Sequence, residues 1–410
     1  MAFDLRGFQP QRPPALLLGG LNLARALGLG GIPVIVASPQ PDWPAAASRF
    51  ARGSLLLPPL ENRAAVVETL ARAGERLAEA MGCKVPLFYG NDDYLSLVQE
   101  NHAALAPFYG MVLNEPETAR ALIDKDRFEG FARSRGLPVP RRLHWEELEG
   151  WYAPVLVKPK VKTGYDDSAV HLHLFGGAGK ARVFASGPEI TALALARKLR
   201  DEVVFQEFVP GGDRQLWSFH GFADDSGKLL AWFTGRKLRT YPALTGESTF
   251  LELQHDKAFA FVGRHIAARL GLRGVFKIDF KQDAVTSGWR VLEINARFNL
   301  WHYLAARNGL NLPALVYDYL VHGKRPAGSP YATTYRWLAF RGDWRAYREL
   351  AARGELGFIR WLHSLLEAPK VYDVFSWSDP MPFYKHCLRE ARLRGPGLRA
   401  RMLRWLSTAS

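Results

Sequence analysis

The sequence predicts a protein of mixed α/β and α+β class, with a doubly wound N-terminal domain, two mixed lobes and a helical C-terminal extension. Between residues 15 and 37, an apolar run, a glycine pair, a helical pattern and a second apolar run predict a β-α-β unit. Residues 124–325 alternate short strand-like runs with helices, as α+β lobes do. The remainder has a mostly helical pattern and is rich in tryptophan and arginine. We expect the domains to span 1–115, 116–210, 211–325 and 326–410.

The composition is that of a globular protein with several domains. Its 410 residues are too many for one compact core, and 48% of them are hydrophobic, which excludes a disordered chain. The composition also excludes coiled-coil, collagen and low-complexity classes. Lysine and arginine outnumber aspartate and glutamate by 54 to 40, which leaves a net charge of +14. This charge favours anionic partners, whether nucleic acid, nucleotides, acidic lipids or acidic polymers.

The cysteine count and the N-terminal sequence predict a cytoplasmic location. Cys83 and Cys387 are the two cysteines, so a disulfide framework and a four-thiolate metal site are both excluded. Residues 1–14 lack the continuous apolar segment of a signal peptide. No apolar run approaches the ~18 residues that cross a bilayer. We therefore expect a cytoplasmic protein, either soluble or peripheral to the inner face of the membrane.

Two loops of the predicted N-terminal domain follow strands, where open α/β sheets bind ligands. Gly19-Gly20 lacks the full G-x-G-x-x-G spacing, so a steric role in the turn is favoured over cofactor binding. Asn91 and Asp93 follow the predicted strand at 85–89. Two interpretations stay open for them, contact with a substrate and capping of the next helix.

The predicted lobes continue this alternation. A helix begins after Asp124 and is stopped by Gly136. Further helices are predicted at 189–200 and 256–270. Apolar strand-like runs are predicted at 155–158, 169–174, 203–209, 216–223, 229–235, 275–281 and 289–294.

Two of these apolar strands carry polar side chains of the kind that bind a metal ion. Asp279 lies on the first strand, and Glu293 and Asn295 share one face of the second, because alternate strand residues point the same way. Burying two carboxylates is costly unless a cation compensates them, and hard oxygen donors suit Mg²⁺ with phosphate oxygens completing its octahedron. Arg297, one step further along that face, is placed to hold a transferring phosphoryl group. The alternative is a structural salt bridge between Arg297 and Glu293.

These residues resemble the metal signature of the ATP-grasp superfamily, and the resemblance extends over most of the chain. The pairing of Asp279 with the segment Leu-Glu-Ile-Asn-Ala-Arg matches that signature. The resemblance places Asp279, Glu293 and Asn295 at the Mg²⁺-ligand positions. It places Arg297 at the phosphate position. It also implies ATP as the nucleotide and Mg²⁺, or Mn²⁺, as the metal.

Other ATP-grasp motifs occur in the family's order. Lys125, in Asp-Lys before a helix and a Gly-Leu-Pro-Val-Pro segment, is similar to the first nucleotide lysine. Lys158, in Val-Lys-Pro, is similar to the second lysine, which contacts the ATP phosphates in such enzymes. Two lysines on separate elements would neutralise part of a triphosphate as compact point charges. The loop from Lys160 to Asp167, where the family often has a glycine-rich lid, contains one glycine, and we assign it no phosphate contact.

The segment after the predicted strand at 203–209 resembles the family's interlobe hinge, where a carboxylate and backbone groups take the adenine edge. The resemblance implies nucleotide contacts for this set: Gln206, Glu207, Phe208 and Val209. Phe208 and Val209 would supply apolar walls for the base. Asp213 stands near the ribose position.

Within the superfamily, the segments from Thr234 and from Ala305 resemble the carboxylate-amine ligases, a group similar to D-aspartate ligase and carbamoyl-phosphate synthase-like enzymes. Lys237 and Arg239 would share one face of an extended strand, where they are expected to bind a carboxylate or the γ-phosphate. A solvated edge strand is the structural alternative. The resemblance implies an ADP-forming ligase that joins a carboxylate to an amine through an acyl phosphate.

The acid and the amine stay unidentified at this point. Peptidoglycan amino-acid addition, amidation of a surface polysaccharide and synthesis of a small dipeptide are all open. His302 is a candidate for the base that deprotonates the amine, and packing against its neighbours is the favoured alternative. The alternative function is a non-catalytic ATP-binding regulator or a module that binds an anionic polymer. We expect no specific nucleic-acid partner, because the interleaved aromatic and basic stripes of a recognised module are absent.

The last residues carry a second concentration of charge. Within 385–410, seven lysines and arginines face one glutamate, Glu390. Such a segment either contacts an anionic membrane surface or docks on the chain's own domain. Both interpretations stay open, and so does a homodimer.

Overall fold

The computed structural model describes residues 4–160, 168–175, 181–326, 328 and 330–393. These residues form two compact units. The first contains 4–111, 313–324 and 372–393, and the second contains the described residues within 112–312 and 325–371. The four-domain division expected from the sequence stays a prediction.

The strands are β1 Ala15–Leu18, β2 Val34–Ser38, β3 Ala51–Leu56, β4 Val85–Tyr89, β5 Tyr109–Gly110, β6 Arg142–Leu143, β7 Val155–Pro159, β8 Arg182–Phe184, β9 Val203–Glu207, β10 Leu216–Ala223, β11 Leu229–Tyr241, β12 Glu247–Gln254, β13 Gly274–Gln282, β14 Trp289–Asn295, β15 Arg336–Leu338 and β16 Lys370–Tyr372. The helices are α1 Leu21–Leu29, α2 Arg63–Met81, α3 Asp92–Glu100, α4 His102–Leu105, α5 Pro116–Ile123, α6 Lys125–Ser134, α7 Gly187–Thr191, α8 Ala194–Lys198, α9 Lys257–Arg269, α10 Trp301–Arg307, α11 Leu312–His322, α12 Phe340–Ala352, α13 Phe358–Leu366 and α14 Met381–Leu393.

The first unit is built on a parallel five-stranded sheet with the strand order β3-β2-β1-β4-β5. Every residue of β1, β2 and β4 is buried, which explains why these strands are continuous apolar runs rather than alternating ones. The helix α2 begins with its Asn62 cap and ends at Gly82, whose positive φ of 65° suits glycine. This sheet is the doubly wound arrangement that the sequence predicts.

The loops after β1 and β4 meet at a close backbone approach. A Cβ atom on Gly90 would lie 3.3 Å from the Cα atom of Gly19, so a side chain would crowd this crossing. Asn91 caps α3, because its Oδ1 accepts a hydrogen bond from the Tyr94 backbone N–H at 2.8 Å. The steric role of Gly19 and the capping role of Asn91 are therefore both observed, and substrate contact by Asp93 stays a prediction.

The chain from residue 372 onward returns to the first unit through one buried carboxylate. Asp379 accepts hydrogen bonds from Arg25 Nε at 2.9 Å, from Ser48 Oγ at 2.8 Å and from the Arg49 backbone N–H at 2.9 Å. The predicted helical extension is therefore divided. Its strands β15 and β16 join a sheet of the second unit, whereas 372–393 pack in the first.

The second unit contains a small antiparallel sheet with the order β6-β9-β7-β8 over an apolar core. The strand predicted at 169–174 is wrong, because Val170–Leu174 form a π-helical turn. Val170 and Leu174 stand four positions apart, so a helical turn brings both into the core of this sheet. Their alternation with histidines imitated the period of a strand.

The large sheet of the second unit has seven strands in the order β14-β13-β10-β11-β12-β15-β16. One face packs against α9 through a core that includes Phe219, Phe259 and Phe276. The other face of β10, β13 and β14 carries polar side chains and holds the candidate site. No helix in the described parts of the chain is long and apolar enough to cross a membrane.

Candidate nucleotide and metal site

The pairing of β13 with β14 brings the predicted metal ligands together. Asp279 lies opposite Glu293, and Lys277 lies opposite Asn295. The intervening Ile278 is buried in the core on the other face. The period of the strand thus separates an apolar row from a polar row, as the sequence predicts.

Asp279 is a buried member of the polar row, with 4% of its surface exposed. Its Oδ1 accepts a hydrogen bond from Ser218 Oγ at 2.6 Å, and its Oδ2 lies 2.5 Å from Lys277 Nζ. Asn295 Nδ2 donates to Asp279 Oδ2 at 3.4 Å and to Glu293 Oε1 at 3.1 Å. An ammonium, a hydroxyl and an amide therefore compensate this buried carboxylate.

The chemistry of this row fits a divalent cation held partly by a substrate. Asp279, Glu293 and Asn295 supply two carboxylates and one amide oxygen, which are hard oxygen donors of the kind that Mg²⁺ prefers. Among the residues that the structure describes, no group of three or more His, Cys, Asp or Glu side chains forms a complete metal cage. A nucleotide phosphate would supply further ligands, as it does in many Mg²⁺ sites. Arg297 Nη2 donates to Asn295 Oδ1 at 3.3 Å and so lies next to this row.

Lys158 faces the same place from the small sheet. Its Nζ donates to Gln206 Oε1 at 3.2 Å across the paired strands β7 and β9. Burial lowers the pKa of Lys158, and the carboxylates of Glu293 and Glu129 oppose this shift. A desolvated ammonium is stabilised by a nearby negative charge, so Lys158 is suited to bind an anion such as a phosphate.

In the predicted adenine hinge, both the side chain and the backbone of Glu207 form hydrogen bonds with Arg141. Glu207 Oε1 accepts from the Arg141 backbone N–H at 2.9 Å, and the Glu207 N–H donates to the Arg141 carbonyl at 2.9 Å. Phe208 is half-buried under the Lys281 ammonium, which lies 4.0 Å from the ring centroid, and Val209 is buried. This segment is therefore joined to Arg141 by two hydrogen bonds, and it presents an aromatic ring beside a cation.

Comparison with known proteins gives the same fold. No protein-family model matches the chain. A D-aspartate ligase from Enterococcus faecium is 22% identical over 296 residues, which are 68% of this chain and 68% of that protein. An L-amino acid ligase from Bacillus licheniformis matches 76% of this chain and 74% of its own, with a TM-score of 0.53 and 16% identity. An N5-carboxyaminoimidazole synthetase from Staphylococcus aureus, complexed with ADP, matches 78% and 79% with a TM-score of 0.56 and 13% identity.

The chain has an ATP-grasp fold. The predicted fold class is thereby confirmed, and these likenesses agree with the predicted resemblance to ATP-grasp ligases. The predicted enzyme class, an ATP-dependent ligase, agrees with the names of these similar proteins. The roles of individual residues are not tested by these likenesses and stay predictions.

In this ATP-grasp fold, Asp213 carries structural hydrogen bonds at the predicted ribose position. It accepts hydrogen bonds from the Thr240 backbone N–H at 2.6 Å, from Thr240 Oγ1 at 2.9 Å and from the Leu244 N–H at 2.8 Å. Desolvation raises the pKa of Asp213, although these bonds and the positive charge of Lys237 oppose that shift. Asp213 therefore anchors the turn at 240–244, and its contact with ribose stays a prediction.

Lys237 and Arg239 are separated by the structure, which corrects the prediction that they share a face. Gly235 pairs with Ser218, so Lys237, two residues further on, lies on the site face of β11. Register shifts on both sides of Arg239 then break the alternation.

The buried guanidinium of Arg239 is fully engaged elsewhere. Its Nε and Nη2 donate to the two oxygens of Asp343 at 2.7 Å and 2.9 Å, and its Nη1 donates to Ser364 Oγ at 3.0 Å. A catalytic role on a carboxylate or γ-phosphate conflicts with this geometry, because the groups that would bind the substrate already hold a protein carboxylate.

Sequence reasoning missed three residues of the site: Ser218, Lys277 and Lys281. Both lysines lie two positions from Asp279 on β13, so the alternation that placed Asp279 also places them on the same face. Lys281 is buried, and desolvation lowers its pKa to about 8, with Asp213 and Asp283 opposing the shift. Ser218 had no signal of its own, since its role depends on the pairing of β10 with β13.

His302 packs against its neighbours, as the favoured alternative predicts. It is fully buried, and desolvation lowers its pKa to about 3. Its Nδ1 accepts a hydrogen bond from the Asn299 backbone N–H at 3.0 Å, which shapes the turn after Arg297. The side chain of Lys125, the lid residues 161–167 and the basic residues 394–410 lie outside the described part of the chain.

Proposed function

We propose that this protein is an ADP-forming carboxylate-amine ligase that joins an amino acid to a carboxylate or an amine of a cell-envelope or small-molecule acceptor. The observation that carries the proposal is the concentration of cations around one row of metal-type oxygens. Lys158, Lys277 and Arg297 converge on the row formed by Asp279, Glu293 and Asn295. Such a row suits the transfer of a phosphoryl group from ATP.

The proposed reaction has two steps. A carboxylate oxygen of the first substrate attacks the γ-phosphorus, the bond from that phosphorus to the β-γ bridging oxygen breaks, and ADP leaves. The nitrogen of the second substrate then attacks the acyl carbon, the bond from that carbon to the phosphate oxygen breaks, and inorganic phosphate leaves. The amine loses one proton in this step, and the leaving phosphate takes up one proton, so that it departs as hydrogen phosphate. No covalent attachment to the protein is needed, so catalysis consists of positioning and charge compensation.

The predicted site residues form one set that would hold the metal and another that would hold the nucleotide base. Asp279, Glu293 and Asn295 would hold Mg²⁺, which supplies charge neutralisation at the β- and γ-phosphate oxygens when it is bound. Mn²⁺ offers the same coordination chemistry as an alternative. The hinge from Gln206 to Val209 would hold the adenine, with Phe208 as an apolar wall.

Three cations would act on the triphosphate and the developing charge. Lys158 is positioned by Gln206 and keeps its ammonium in a desolvated place. Arg297 is positioned by Asn295, and Lys237 lies on the same face of the sheet. Donors fixed in this way cost little reorganisation when charge develops on the phosphoryl group.

The amino-acid substrate is supported by the similar proteins. One of them is named D-aspartate ligase and another L-amino acid ligase, so an amino acid is one substrate class that both names share. We place the activity in the cytoplasm, with small-molecule substrates and no specific nucleic acid.

Trapping of the activated acid tests the proposal. The full chain is incubated with ATP, Mg²⁺, hydroxylamine and one amino acid at a time, and both ADP and acyl hydroxamate are measured. We expect one class of carboxylate to give equal amounts of ADP and hydroxamate. A chain that binds ATP but releases no ADP with any carboxylate and amine pair would instead be the non-catalytic ATP-binding regulator. Asp225 lies exposed in a turn, so the variant Asp225→Asn is the control when site variants are measured in this way.

A further inference from the structure

The helix α13 presents an apolar face to solvent, outside the nucleotide and metal site. Four of its side chains are exposed: Phe358 by 52%, Ile359 by 83%, Leu362 by 41% and Leu366 by 75%. At 3.6 residues per turn they fall within an arc of ~100°, so they form one stripe. Exposed aliphatic side chains are common singly, but a contiguous stripe on one helix indicates an interaction surface.

This helix is held firmly by its inner face. The buried Trp361 donates from Nε1 to Asp343 Oδ2 at 2.9 Å, and its ring stacks on Tyr347 with centroids 4.9 Å apart. Ser364 accepts from Arg239 Nη1 at 3.0 Å. The inner face is thus fixed to the pair formed by Arg239 and Asp343, and the apolar stripe points away from it.

The segment that contains the stripe is basic and aromatic. In the segment 340–367, five arginines and two glutamates are exposed. One of these glutamates, Glu367, is already paired with Arg336. Phe340 and Trp344 of α12 are exposed by 50% and 40%. Aromatic side chains and arginines in the same segment as an apolar stripe are typical of helices that lie in a membrane interface.

We propose that α13 and the exposed arginines of α12 dock this protein on an anionic lipid surface. The apolar stripe would enter the boundary between headgroups and acyl chains, and the arginines would contact lipid phosphates. Charge favours this occupant over a second copy of the chain. A twofold contact through the same stripe would bring the exposed arginines of both copies towards each other, which is unfavourable. The proposal stands apart from the ligase activity and would locate that activity beside membrane-bound acceptors.

Vesicle sedimentation of the full chain tests this surface. The probes are vesicles of phosphatidylcholine alone and vesicles with one third phosphatidylglycerol. We expect binding to the anionic vesicles, and a loss of at least about tenfold in the partition coefficient for Ile359→Glu with Leu366→Glu. The matched control is Phe261→Glu with Val285→Glu, which adds the same charge at residues that are exposed by 69% and 80% on other elements. ATP-dependent thermal stabilisation of each variant verifies its fold.

Two further arms separate the stripe from simple charge attraction. Arg348→Gln with Arg360→Gln should weaken binding to anionic vesicles severalfold. A dye at Leu362→Cys, in a background of Cys83→Ser and Cys387→Ser, should shift its emission to the blue on anionic vesicles, whereas the same dye at Val285→Cys should not.

Several results would overturn the proposal. These are no binding of the wild-type chain to either vesicle, equal losses for the stripe variant and its control, and a blue shift at neither labelled position. Loss of binding on neutralising Arg399, Arg401 and Arg404 but not on changing the stripe would assign the contact to the basic end of the chain. A concentration-dependent dimer in analytical ultracentrifugation that the stripe variant abolishes would assign the surface to a second copy instead.

Discussion

Two buried aspartates of the second unit have the same charge and opposite surroundings. Asp279 is compensated by a lysine ammonium at 2.5 Å, a serine hydroxyl at 2.6 Å and a weak amide contact at 3.4 Å. Asp343 accepts hydrogen bonds from Arg239 Nε and Nη2 at 2.7 and 2.9 Å, from Trp361 Nε1 at 2.9 Å and from Thr249 Oγ1 at 3.2 Å. The first arrangement can exchange a partner, whereas the second is closed.

The difference follows from the chemistry of the two cations. The ammonium of Lys277 is a point charge on a flexible stem, so it can withdraw from Asp279 when a metal and a triphosphate arrive. The guanidinium of Arg239 presents a rigid, planar fork that fits one carboxylate, and removing either partner leaves a buried charge. We infer that the lysine–aspartate pair, which can exchange its partner, belongs to the functional site. The bidentate arginine–aspartate pair instead stabilises the packing of helices on the sheet.

The largest expected effect is at the exchangeable aspartate. Asp279→Asn keeps the shape of the side chain and removes the charge that the metal and Lys277 share. We expect ADP release to fall by roughly 10²- to 10³-fold, the scale reported for removing one electrostatic contact to a transition state. The exposed Asp225→Asn should leave the rate unchanged. A rate within threefold of wild type for Asp279→Asn would remove this residue from the site.

The second effect tests whether Arg239 is structural. Arg239→Met leaves Asp343 without its cation, so we expect the free energy of unfolding in urea to fall by about 3–5 kcal/mol. The activity of the folded fraction should stay near the wild-type value. Arg236→Met, on the same strand, is the control. Its partner Glu252 keeps a second contact with Arg336 at 3.0 Å, so a smaller loss is expected. A variant with full stability and lost activity would return Arg239 to the catalytic set.

The metal row could be predicted from sequence because two simple rules act together there. Alternation places Asp279, Glu293 and Asn295 on polar faces, and the apolar residues between them define the buried faces. The same alternation also places Lys277 and Lys281 on the polar face. A lysine in a strand is usually solvated, however, so the presence of a lysine at these positions did not by itself indicate a site. Strand pairing, which the sequence does not specify, was needed to show that these lysines face carboxylates.

Arg239 and the segment at 169–174 show where the rules fail. A register shift on each side of Arg239 turns its side chain out of the expected row. Such bulges depend on contacts between strands and helices that are distant in sequence, here on Asp343. At 169–174, apolar residues four positions apart satisfied both a strand and a helical turn, and the small-sheet core decided between them.

The third effect measures how exchangeable the pair at Asp279 is. Lys277→Met removes the ammonium that competes for Asp279 Oδ2, so in the absence of nucleotide we expect Mn²⁺ to bind about tenfold more tightly, or about 1.4 kcal/mol. Electron paramagnetic resonance of free Mn²⁺ gives the dissociation constant without reference to activity. Lys281→Met, on the same face but over Phe208, is the matched control and should change this constant little. Unchanged or weaker Mn²⁺ binding by Lys277→Met would show that the lysine supports the metal site rather than competing for it.

The smallest effect concerns Lys370, on the strand β16 beside the closed pair. Desolvation first, and then the charge of Arg336, lower its pKa from 10.5 to about 8. Between these pH values the unfolded chain binds more protons than the folded chain, so this lysine makes the free energy of unfolding rise as the pH rises from about 8 to about 10.5. Because Lys370 is half-exposed, solvent screening should keep the effect below about 1 kcal/mol. Urea unfolding at pH 7 and pH 10 should therefore show a smaller rise for Lys370→Met than for wild type, with the exposed Lys257→Met as the control for removing one charge. An equal rise in all three proteins would mean that Lys370 remains fully hydrated, and that the desolvated region around Arg239 and Asp343 ends before β16.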